Sequence, residues 1–479
     1  MSSLLIENFA KTKILCTLGP VTGTSETIKK LILSGMDGVR LNFSHGDYGF
    51  YKNIFDEIHK ACVDEKTPLS ILVDLQGPKI RIGDLTKPEI EISKGNKIEI
   101  TTEDVKGTAK LISTSYKFLA EDAQVGDPVL IDDGLLRLRI IERKEKSVVC
   151  IIENGGILKP KKGMNLPGMK LSTPSVTEKD YRDLEFALRH RVDYVALSFV
   201  RSANDIILLR EWMRSKNSLR PIIAKIEKKE ACDNFDEIVE TADGIMIARG
   251  DLGVELPPQD VPIIQKEIIR KCNSKGKLVI TATQMLDSMI HNPIPTRAEA
   301  SDVANAVLDG TDAVMLSGET SVGNFPLETV RIMNDIVKNA EQYFLPLKDD
   351  EFETPKSTEE NLFDSAGRAI AAMSRQINAA AIVVFTYQGR TAMNLAKYRP
   401  KAKIIAVTNS FETMNNLCLR WGVASMFYDD IVKEHLMIDE VKKMITEGGH
   451  VKAGDIVIFT AGAPYSEKSR ANWLRFEVI

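Results

Sequence analysis

The 479-residue sequence lacks the features that mark membrane, secreted and nucleic-acid-binding proteins. No apolar run approaches the ~18 residues that a membrane span needs, and the opening MSSLLIENFAKTK lacks the apolar core of a signal peptide. The six cysteines show no CxxC spacing, which argues against a disulfide framework or a zinc site. A formal net charge of -4 and a pI near 6.0 give no electrostatic case for nucleic acid. We therefore expect a cytoplasmic protein with reduced thiols and neither a membrane nor a nucleic-acid partner.

Near-continuous apolar runs alternate with helix-like stretches over most of the chain. Eight of these runs are KILCTLG, DGVRLNF, LSILVDL, YVALSFV, PIIAKIE, GIMIARG, KLVITAT and DAVMLSG. Such runs are typical of parallel strands that are covered on both faces. Eight strand-helix units predict an α/β fold, a (β/α)8 TIM barrel, whose active site lies where the strands end.

Polar side chains gather at the predicted ends of these strands. They are Arg40, Asn42, Asp74, Ser198, Lys225, Glu227, Asp251, Thr283, Ser317 and Glu319. Lys225 and Glu227 lie two positions apart, so in a strand they face the same side. Because a buried unpaired lysine would be costly, we expect a salt bridge with Glu227, a functional charge, or both.

The barrel pattern is interrupted over residues 78–171. KPEIEISKGNKIEI alternates with period two and Asp133-Gly134 indicates a turn, which predicts an inserted β-barrel domain that acts as a lid. Residues 347–361 are charged and poor in apolar residues, as in a linker. The strand-like runs beyond it predict a second α/β unit. The predicted division is barrel (1–77 and 172–346), lid (78–171), linker (347–361) and C-terminal α/β domain (362–479).

Several ordered motifs resemble those of the pyruvate kinases, and the resemblance runs over essentially the whole chain. The matching stretches are KILCTLGP, GVRLNFSHG, DLQGPKIR, GMNLPG, IAKIE, GIMIARGDLGVE, TATQMLDSM, PTRAEASDVANAVLDGTDAVMLSGET and TYQGRTA. The resemblance implies transfer of the phosphoryl group of phosphoenolpyruvate to ADP, giving pyruvate and ATP in the last step of glycolysis. It also implies Mg²⁺ dependence, a sugar-phosphate or nucleotide effector bound to a regulatory C-terminal domain, and a homotetramer.

The resemblance assigns the residues that bind the substrate and carry out the reaction. Lys225 is implied to stabilise the enolate and the phosphoryl group in transit, with Arg40 as a second cation. Thr283 is implied to orient groups at the face of the enolate that is protonated, because a hydroxyl alone is a poor acid. The implied catalytic residues are Lys225, Thr283 and Arg40, and the implied substrate-binding residues are Arg40, Lys225, Ala248, Arg249, Gly250, Asp251 and Thr283.

Glu227 and Asp251 are the implied ligands of Mg²⁺. A small number of hard oxygen ligands, with positions left for substrate and water, suits this ion. Gly250 lets the backbone approach a ligand closely, so the N–H groups of residues 248–250 are expected to meet an anion. An ordinary strand-to-helix turn is the alternative for this segment.

The nucleotide is expected between the barrel mouth and the lid, because the sequence contains neither a Walker A motif nor GxGxxG after a strand. The implied nucleotide-binding residues are Pro20, Asn42, His45, Arg81 and Lys162. Arg81 can form bidentate phosphate contacts, and lid closure would bring it and Lys162 onto the nucleotide. A packing role for His45 is favoured over that of a catalytic base.

A monovalent cation position is implied at Asn42, Ser44 and Asp74 and at the carbonyl of Leu75. The sequence departs from potassium-dependent relatives at Lys79, where they typically have glutamate. A lysine ammonium supplies the charge that K⁺ would bring, so we expect a reduced or absent K⁺ requirement. The alternative is a surface lysine with no such role.

An effector site is implied in the C-terminal domain, where TYQGRTA follows a strand and opens a helix. Its residues are Thr386, Gly389, Arg390 and Thr391, which can cradle a phosphate at the helix N-terminus. An ordinary capped helix start is the alternative. The end of the chain, GAPYSEKSRANWLRFEVI, lacks the glycine-rich effector loop common in relatives, although Asn472 matches. The identity of the effector is therefore open.

Two other functions fit parts of the pattern. A Mg²⁺-enolate lyase or aldolase would use a similar barrel mouth, but it would need no nucleotide and no lid carrying Arg81 and Lys162. A catalytically silent phosphometabolite sensor that uses the C-terminal site would not need all four of Lys225, Glu227, Asp251 and Thr283.

Overall fold

The eight apolar runs form a closed parallel barrel in the computed structural model, which describes residues 8–355, 357–429, 434–462 and 470–479. The first to eighth barrel strands are Lys13–Thr17, Gly38–Asn42, Ser70–Asp74, Tyr194–Leu197, Ile222–Ile226, Gly244–Ala248, Leu278–Ala282 and Ala313–Leu316. They lie side by side in chain order, and the eighth pairs with the first. The predicted fold class is confirmed.

The barrel strands are apolar throughout because each buries both faces. In the fifth strand, Ile223 packs inside the barrel, whereas Ala224 packs under the outer helices. Successive side chains in a strand point to opposite faces, so Lys225 and Glu227 continue the inward series that Ile223 begins. The fifth strand therefore fills the core with Ile223 and places a cation and a carboxylate at the barrel mouth, where the strand ends.

Helices cover the outside of the barrel. They are Ser25–Leu33, Tyr48–Glu65, Glu178–Ala187, Ala203–Ser215, Lys229–Asp233, Phe235–Thr241, Arg249–Glu255, Val261–Lys275, Arg297–Asp309, Gly318–Ser321 and Pro326–Glu341. None of the helices in the described ranges has the length and apolar character of a membrane span.

The segment between the third and fourth barrel strands forms a separate unit with its own apolar core, here called the inserted unit. Its strands are Ile90–Ile92, Lys97–Thr101, Leu111–Ser113, Pro128–Ile131, Leu136–Arg143, Ser147–Asn154, Gly156–Leu158 and Met164–Asn165, and its helix is Leu119–Asp122. Ile90–Ile92 and Gly156–Leu158 form a two-stranded sheet, and the other six strands form a second sheet. Pairing is antiparallel except between Lys97–Thr101 and Leu111–Ser113, which run parallel.

The two connections to the inserted unit meet at the buried carboxylate of Asp180. Its Oδ1 accepts a hydrogen bond from the backbone N–H of Gly77 at 3.0 Å, in the outgoing connection. Its Oδ2 accepts from the N–H and hydroxyl of Thr177, in the returning connection, at 2.8 and 2.6 Å. One side chain thus ties both connections to the start of the helix Glu178–Ala187.

The C-terminal part forms a five-stranded sheet with helices. The strands, in spatial order, are Val423–Phe427, Lys403–Thr408, Ala381–Phe385, Ile456–Ala461 and Trp473–Val478, and the helices are Thr358–Gln376, Arg390–Lys397, Phe411–Asn416 and Glu434–Glu447. The last strand is antiparallel and was not expected from the sequence. The first helix begins at Thr358, inside the segment predicted as a linker.

Candidate active site

The ammonium group of Lys225 lies at the barrel mouth, surrounded by oxygen atoms. Lys225 Nζ is 2.9 Å from Glu227 Oε1 and 3.2 Å from Asp74 Oδ1. It also donates a hydrogen bond to Ser198 Oγ at 2.7 Å. Burial lowers the pKa of Lys225, but the two carboxylates outweigh it and hold the pKa above its ordinary value. The lysine therefore stays charged although its side chain is only 10% exposed.

Asp74 joins Lys225 to a second cation, Arg40. Arg40 Nη2 and Nε lie 2.6 and 2.7 Å from Asp74 Oδ2, and Arg40 Nη1 donates to Thr17 Oγ1 at 3.1 Å. Burial raises the pKa of Asp74, but Lys225 and Arg40 lower it more, so the pKa lies below its ordinary value. The carboxylate holds two positive side chains in fixed positions beside the mouth.

Glu227 and Asp251 bring two carboxylates to adjacent strand ends. Glu227 Oε2 accepts a hydrogen bond from the backbone N–H of Phe199 at 2.7 Å, while Oε1 pairs with Lys225. Burial raises the pKa of Glu227 despite Lys225, and the negative charge of nearby Asp251 raises it further. A buried and a half-buried carboxylate that repel one another form an oxygen donor set that suits a hard cation.

The described residues contain no group of three or more histidine, cysteine, aspartate or glutamate side chains arranged to hold a metal. A pair of carboxylates is a small donor set, as expected for Mg²⁺, which keeps several water or substrate ligands. The chemistry of Glu227 and Asp251 fits that ion.

Thr283 has a strained backbone and links the sixth and seventh strand ends. Its φ is +70°, in the left-handed region that a β-branched residue rarely adopts. Thr283 Oγ1 donates to the carbonyl of Ala282 at 2.6 Å and accepts from the N–H of Gly250 at 2.7 Å. One of the backbone groups predicted to meet an anion is therefore paired with the threonine hydroxyl.

The guanidinium of Arg249 supports the seventh strand end. Arg249 Nη1 lies 2.7 Å from Asp302 Oδ1, and Nη2 donates to the carbonyl of Thr283 at 2.8 Å. Because these contacts use the side chain of Arg249 within the barrel, only its backbone N–H is left for the predicted contact with the substrate.

A cleft lies between the barrel and the inserted unit, and none of the predicted nucleotide residues is among the residues that line it. The cleft is lined by Pro78, Lys79, Ile80, Asp133, Gly163, Met164, Asn165, Leu166, Leu171, Thr173, Phe199, Arg201, Lys228 and Asp251. Burial lowers the pKa of His45, and the nearby charges of Lys79 and Arg81 lower it further. His45 is thus neutral at pH 7 beside a group of cations, while Pro20 lies exposed after the first strand.

Arg81 and Lys162 are bonded to the inserted unit itself. Arg81 Nη1 donates to the carbonyl of Lys161 at 3.0 Å, and Lys162 Nζ lies 2.8 Å from Asp132 Oδ1. Both residues are in the paired connecting segments, where residue 81 bridges to Gly163.

The residues predicted for a monovalent cation lie at the ends of the second and third strands. Ser44 N–H donates to Asn42 Oδ1 at 3.2 Å, and the carbonyl of Leu75 accepts from Ser198 Oγ at 2.7 Å. Lys79 is exposed on the cleft wall.

Two residues in this cluster had been given no role from the sequence. Ser198 contacts both Lys225 and the carbonyl of Leu75, and Thr17 supports Arg40. Both are polar and lie at strand ends, which is the signal that identified their neighbours.

The predicted effector residues lie in the C-terminal unit, after the strand Ala381–Phe385 and at the start of the helix Arg390–Lys397. Gly389 has a φ of +77° and precedes the helix Arg390–Lys397, while Thr386 and Thr391 are buried. Residues 463–469 of the chain end that was compared with the effector loop lie outside the described residues.

Comparisons with known proteins decide the family. The family model "Pyruvate kinase, barrel domain" matches residues 9–330, and "Pyruvate kinase, alpha/beta domain" matches residues 364–476. The chain belongs to the pyruvate kinase family. It is therefore a phosphotransferase, as the resemblance implied.

Individual relatives agree with this assignment. The chain is 44% identical over 472 residues to the pyruvate kinase of Geobacillus stearothermophilus, covering 98% of this chain and 80% of that protein. It is 43% identical over 473 residues to that of Staphylococcus aureus (strain MRSA252), with the same coverage. A crystal structure of a pyruvate kinase from Cryptosporidium parvum matches with a TM-score of 0.91 and 36% identity, covering 100% of this chain and 98% of that one.

Replacing Asp74 by asparagine tests the charge cluster. Asp74→Asn leaves Arg40 and Lys225 without a shared carboxylate, so the free energy of unfolding at pH 7 should fall by about 3–5 kcal/mol. The exposed Asp236, which pairs with Lys271, gives a control: Asp236→Asn should cost less than about 1 kcal/mol. Urea unfolding of both variants measures the difference.

The pH dependence of this difference follows from the sign of the Asp74 pKa shift. Because the folded pKa is depressed, the contribution of Asp74 is present above the unfolded pKa and is lost as the pH falls through the folded one. The gap between wild type and Asp74→Asn should be constant between about pH 5 and 8 and should shrink below about pH 4. A gap that grows with acid would contradict the ion-pair assignment.

Proposed function

We propose that the chain transfers the phosphoryl group of phosphoenolpyruvate to ADP in a Mg²⁺-dependent reaction, the last step of glycolysis. The observation that carries the proposal is the charged Lys225 held between Asp74 and Glu227, with Asp251 beside them. Phosphoryl transfer needs positioning and positive charge more than covalent help, since both substrates are anions. Membership of the family supports the same substrates.

The reaction breaks the bond between phosphorus and the enol oxygen of phosphoenolpyruvate. A new bond forms between that phosphorus and a β-phosphate oxygen of ADP, and the electron pair of the broken bond stays on the enolate. Lys225, with Arg40 behind it, stabilises the negative charge as it moves from the phosphoryl group to the enolate oxygen. Protonation of the enolate at its methylene carbon then gives pyruvate.

Glu227 and Asp251 would hold the Mg²⁺ ion. When bound, the ion supplies positive charge to the oxygens of the substrate. Lys225 pairs with Glu227, which orients that carboxylate and favours its ionised form against the opposing effect of burial.

Thr283 orients the enolate and its proton source. Its hydroxyl donates to the Ala282 carbonyl and accepts from Gly250 N–H, so its own proton is engaged within the protein. We therefore assign the proton to water at this face, with Thr283 as an orienting group. The substrate carboxylate would meet the backbone N–H groups of residues 248–250, and the N–H of Gly250 would exchange Thr283 Oγ1 for the carboxylate.

The nucleotide lies in the cleft between the barrel and the inserted unit. Arg81 and Lys162 would exchange their present partners, the Lys161 carbonyl and Asp132, for phosphate oxygens when the inserted unit closes. The other three predicted nucleotide residues, Pro20, Asn42 and His45, lie at or shortly after the ends of the first and second barrel strands.

Lys79 supplies a resident positive charge near the monovalent cation position of Asn42, Ser44, Asp74 and Leu75. Its electrostatic effect on His45 and its place on the cleft wall support this role. The reaction would then proceed with little or no K⁺.

The C-terminal unit would bind a phosphorylated effector at Thr386, Gly389, Arg390 and Thr391, and the enzyme would work as a homotetramer. The exposed guanidinium of Arg390 at the start of a helix supports an anion site.

Calorimetric titration with hexose phosphate and AMP tests this site. Arg390→Met should weaken the binding by about tenfold or more, and Arg375→Met should leave it unchanged. Equal binding to wild type, Arg390→Met and Arg375→Met would contradict the assignment of the effector site to Arg390.

Pyruvate formation from phosphoenolpyruvate tests the function. With Mg²⁺ present, wild-type protein should form pyruvate only when ADP is added. Glu227→Gln should raise the Mg²⁺ concentration for half-maximal rate by more than about tenfold, because it removes one of two ionic oxygen ligands. Glu211→Gln, an exposed acid on the helix Ala203–Ser215, is the matched control and should change nothing.

Other outcomes redirect the assignment. Product release from phosphoenolpyruvate or pyruvate-like substrates without ADP would favour a lyase, and no turnover under any condition would favour a sensor. Normal Mg²⁺ dependence in Glu227→Gln would show that the metal lies elsewhere.

Lys79→Glu tests the resident cation. The wild type should be active in K⁺-free buffer, and the variant should require added K⁺ because it has exchanged a positive charge for a negative one. The exposed Lys87 gives a control, since Lys87→Glu changes the net charge equally but lies elsewhere in the inserted unit. The same K⁺ response in wild type and Lys79→Glu would leave Lys79 as a surface residue.

A further inference from the structure

The loop after the fourth barrel strand, residues 198–202, contacts both the reaction centre and the connections to the inserted unit. At its inner end, Ser198 Oγ binds Lys225 Nζ, and Phe199 N–H donates to Glu227 Oε2 at 2.7 Å. Phe199, whose N–H makes this bond, has a φ of +53°, a strained backbone conformation for a residue other than glycine. The loop is thus fixed by the residues that carry the chemistry.

At its outer end, the loop places Arg201 against the returning connection. Arg201 Nη1 donates to the carbonyl of Leu171 at 2.6 Å, and Nη2 donates to the carbonyl of Thr173 at 3.0 Å. Nη2 and Nε also donate to Ser175 Oγ at 3.1 and 3.3 Å. A planar guanidinium carries five N–H donors in a fixed geometry, so one side chain can bond two backbone carbonyls and a hydroxyl of this segment at once.

The same connection is bonded on its other side to the inserted unit. Ser172 N–H donates to Asp122 Oδ2 at 2.8 Å, and Ser172 Oγ donates to Asp122 Oδ1 at 2.7 Å. The carbonyls of residues 171 and 173 therefore point to the barrel, whereas residue 172 points to the inserted unit. The segment 171–175 is a bridge with polar contacts on both sides.

The loop also meets the outgoing connection. A Cβ atom added at Gly77 would lie 2.8 Å from Phe199 Cδ2, so the Phe199 ring packs directly against Gly77. Ser175 Oγ in turn donates to the Phe199 carbonyl at 3.3 Å. Residues 199–201 are consequently in contact with both chain crossings between the barrel and the inserted unit.

We propose that Arg201 is a positioning residue that fixes the bridge 171–175 relative to the strand end carrying Glu227, and so sets where the inserted unit holds Arg81 and Lys162 over the nucleotide. The expected effect on the KM for ADP rests on the proposed function. The expected effect on hydrogen–deuterium exchange does not, because it is measured on the ligand-free protein. Arg201 lines the cleft, but its guanidinium hydrogen bonds go to Leu171, Thr173 and Ser175, so we assign it a role through the bridge and none at the reacting groups.

Arg201→Met and Arg201→Lys separate this role from simple packing. Methionine keeps much of the aliphatic volume but offers no donor, whereas lysine keeps the charge and can satisfy one carbonyl. Arg210 provides a matched control: its Nη2 also bonds a carbonyl, that of Thr241, and a carboxylate, that of Asp243, both at 2.9 Å. It lies on a barrel helix, and these contacts join two parts of the barrel.

Hydrogen–deuterium exchange on the metal-free, substrate-free proteins gives the first readout. Arg201→Met should exchange faster than wild type in residues 78–83 and 164–175, with barrel strands and the C-terminal sheet unchanged. Arg201→Lys should fall between the two, and Arg210→Met should leave both connections protected. Loss of protection throughout the barrel in Arg201→Met and Arg201→Lys would make Arg201 a general structural residue and overturn the proposal.

Steady-state kinetics and phosphoenolpyruvate binding give the second readout. In Arg201→Met the KM for ADP should rise about tenfold, on the scale of a lost charge-assisted hydrogen bond. The dissociation constant of phosphoenolpyruvate, measured without ADP, should stay within about twofold, because the barrel residues that bind it are untouched. An unchanged KM for ADP together with unchanged exchange would also overturn the proposal. If wild-type protein forms no pyruvate, the proposed function fails, while the exchange data still decide the position of the bridge.

Discussion

The buried ion pairs of Lys225 are the interaction on which the rest of the site depends. A lysine in a barrel interior loses most of its hydration, and only the two carboxylates, Asp74 and Glu227, hold its pKa above the ordinary value. Each carboxylate then binds something further: Asp74 binds Arg40, and Glu227 accepts the N–H of Phe199. The charge arrangement at the mouth therefore follows from satisfying one buried ammonium group.

Under the proposed function, this arrangement prepares the mouth for anionic substrates. Arg40 and Lys225 are oriented before any substrate binds, so little reorganisation is needed when negative charge develops. Glu227, one of the two carboxylates that orient Lys225, also belongs with Asp251 to the pair that fits a hard cation. Binding of a metal and of an anionic substrate would thus draw on one network of charges.

The sequence predicts the barrel and the charged centre because both depend on local patterns. Apolar runs that end in polar residues predict the eight strands, and the spacing of Lys225 and Glu227 predicts their shared side. Contacts between distant residues could not be predicted in this way. Arg249 turns to Asp302, 53 residues further along, and Arg201 bonds a segment that lies beyond an entire barrel strand.

Other features were missed for similar reasons. The parallel pair in the inserted unit and the antiparallel last strand are set by pairing partners, which residue alternation does not specify. The positive φ of Thr283 could not be predicted from the sequence, because a β-branched residue prefers extended backbone. Ser198 was visible as a strand-end residue, but its link between Lys225 and the Leu75 carbonyl required the fold.

The most direct test of the central claim is the rate of phosphoryl transfer in Lys225→Met, measured in a single turnover with saturating Mg²⁺, ADP and enzyme. If the buried ammonium stabilises the charge that moves to the enolate, the rate should fall by about a hundred- to a thousandfold, while phosphoenolpyruvate binding changes far less. A rate within about tenfold of wild type would show that Lys225 is only a structural ion pair and would contradict the account.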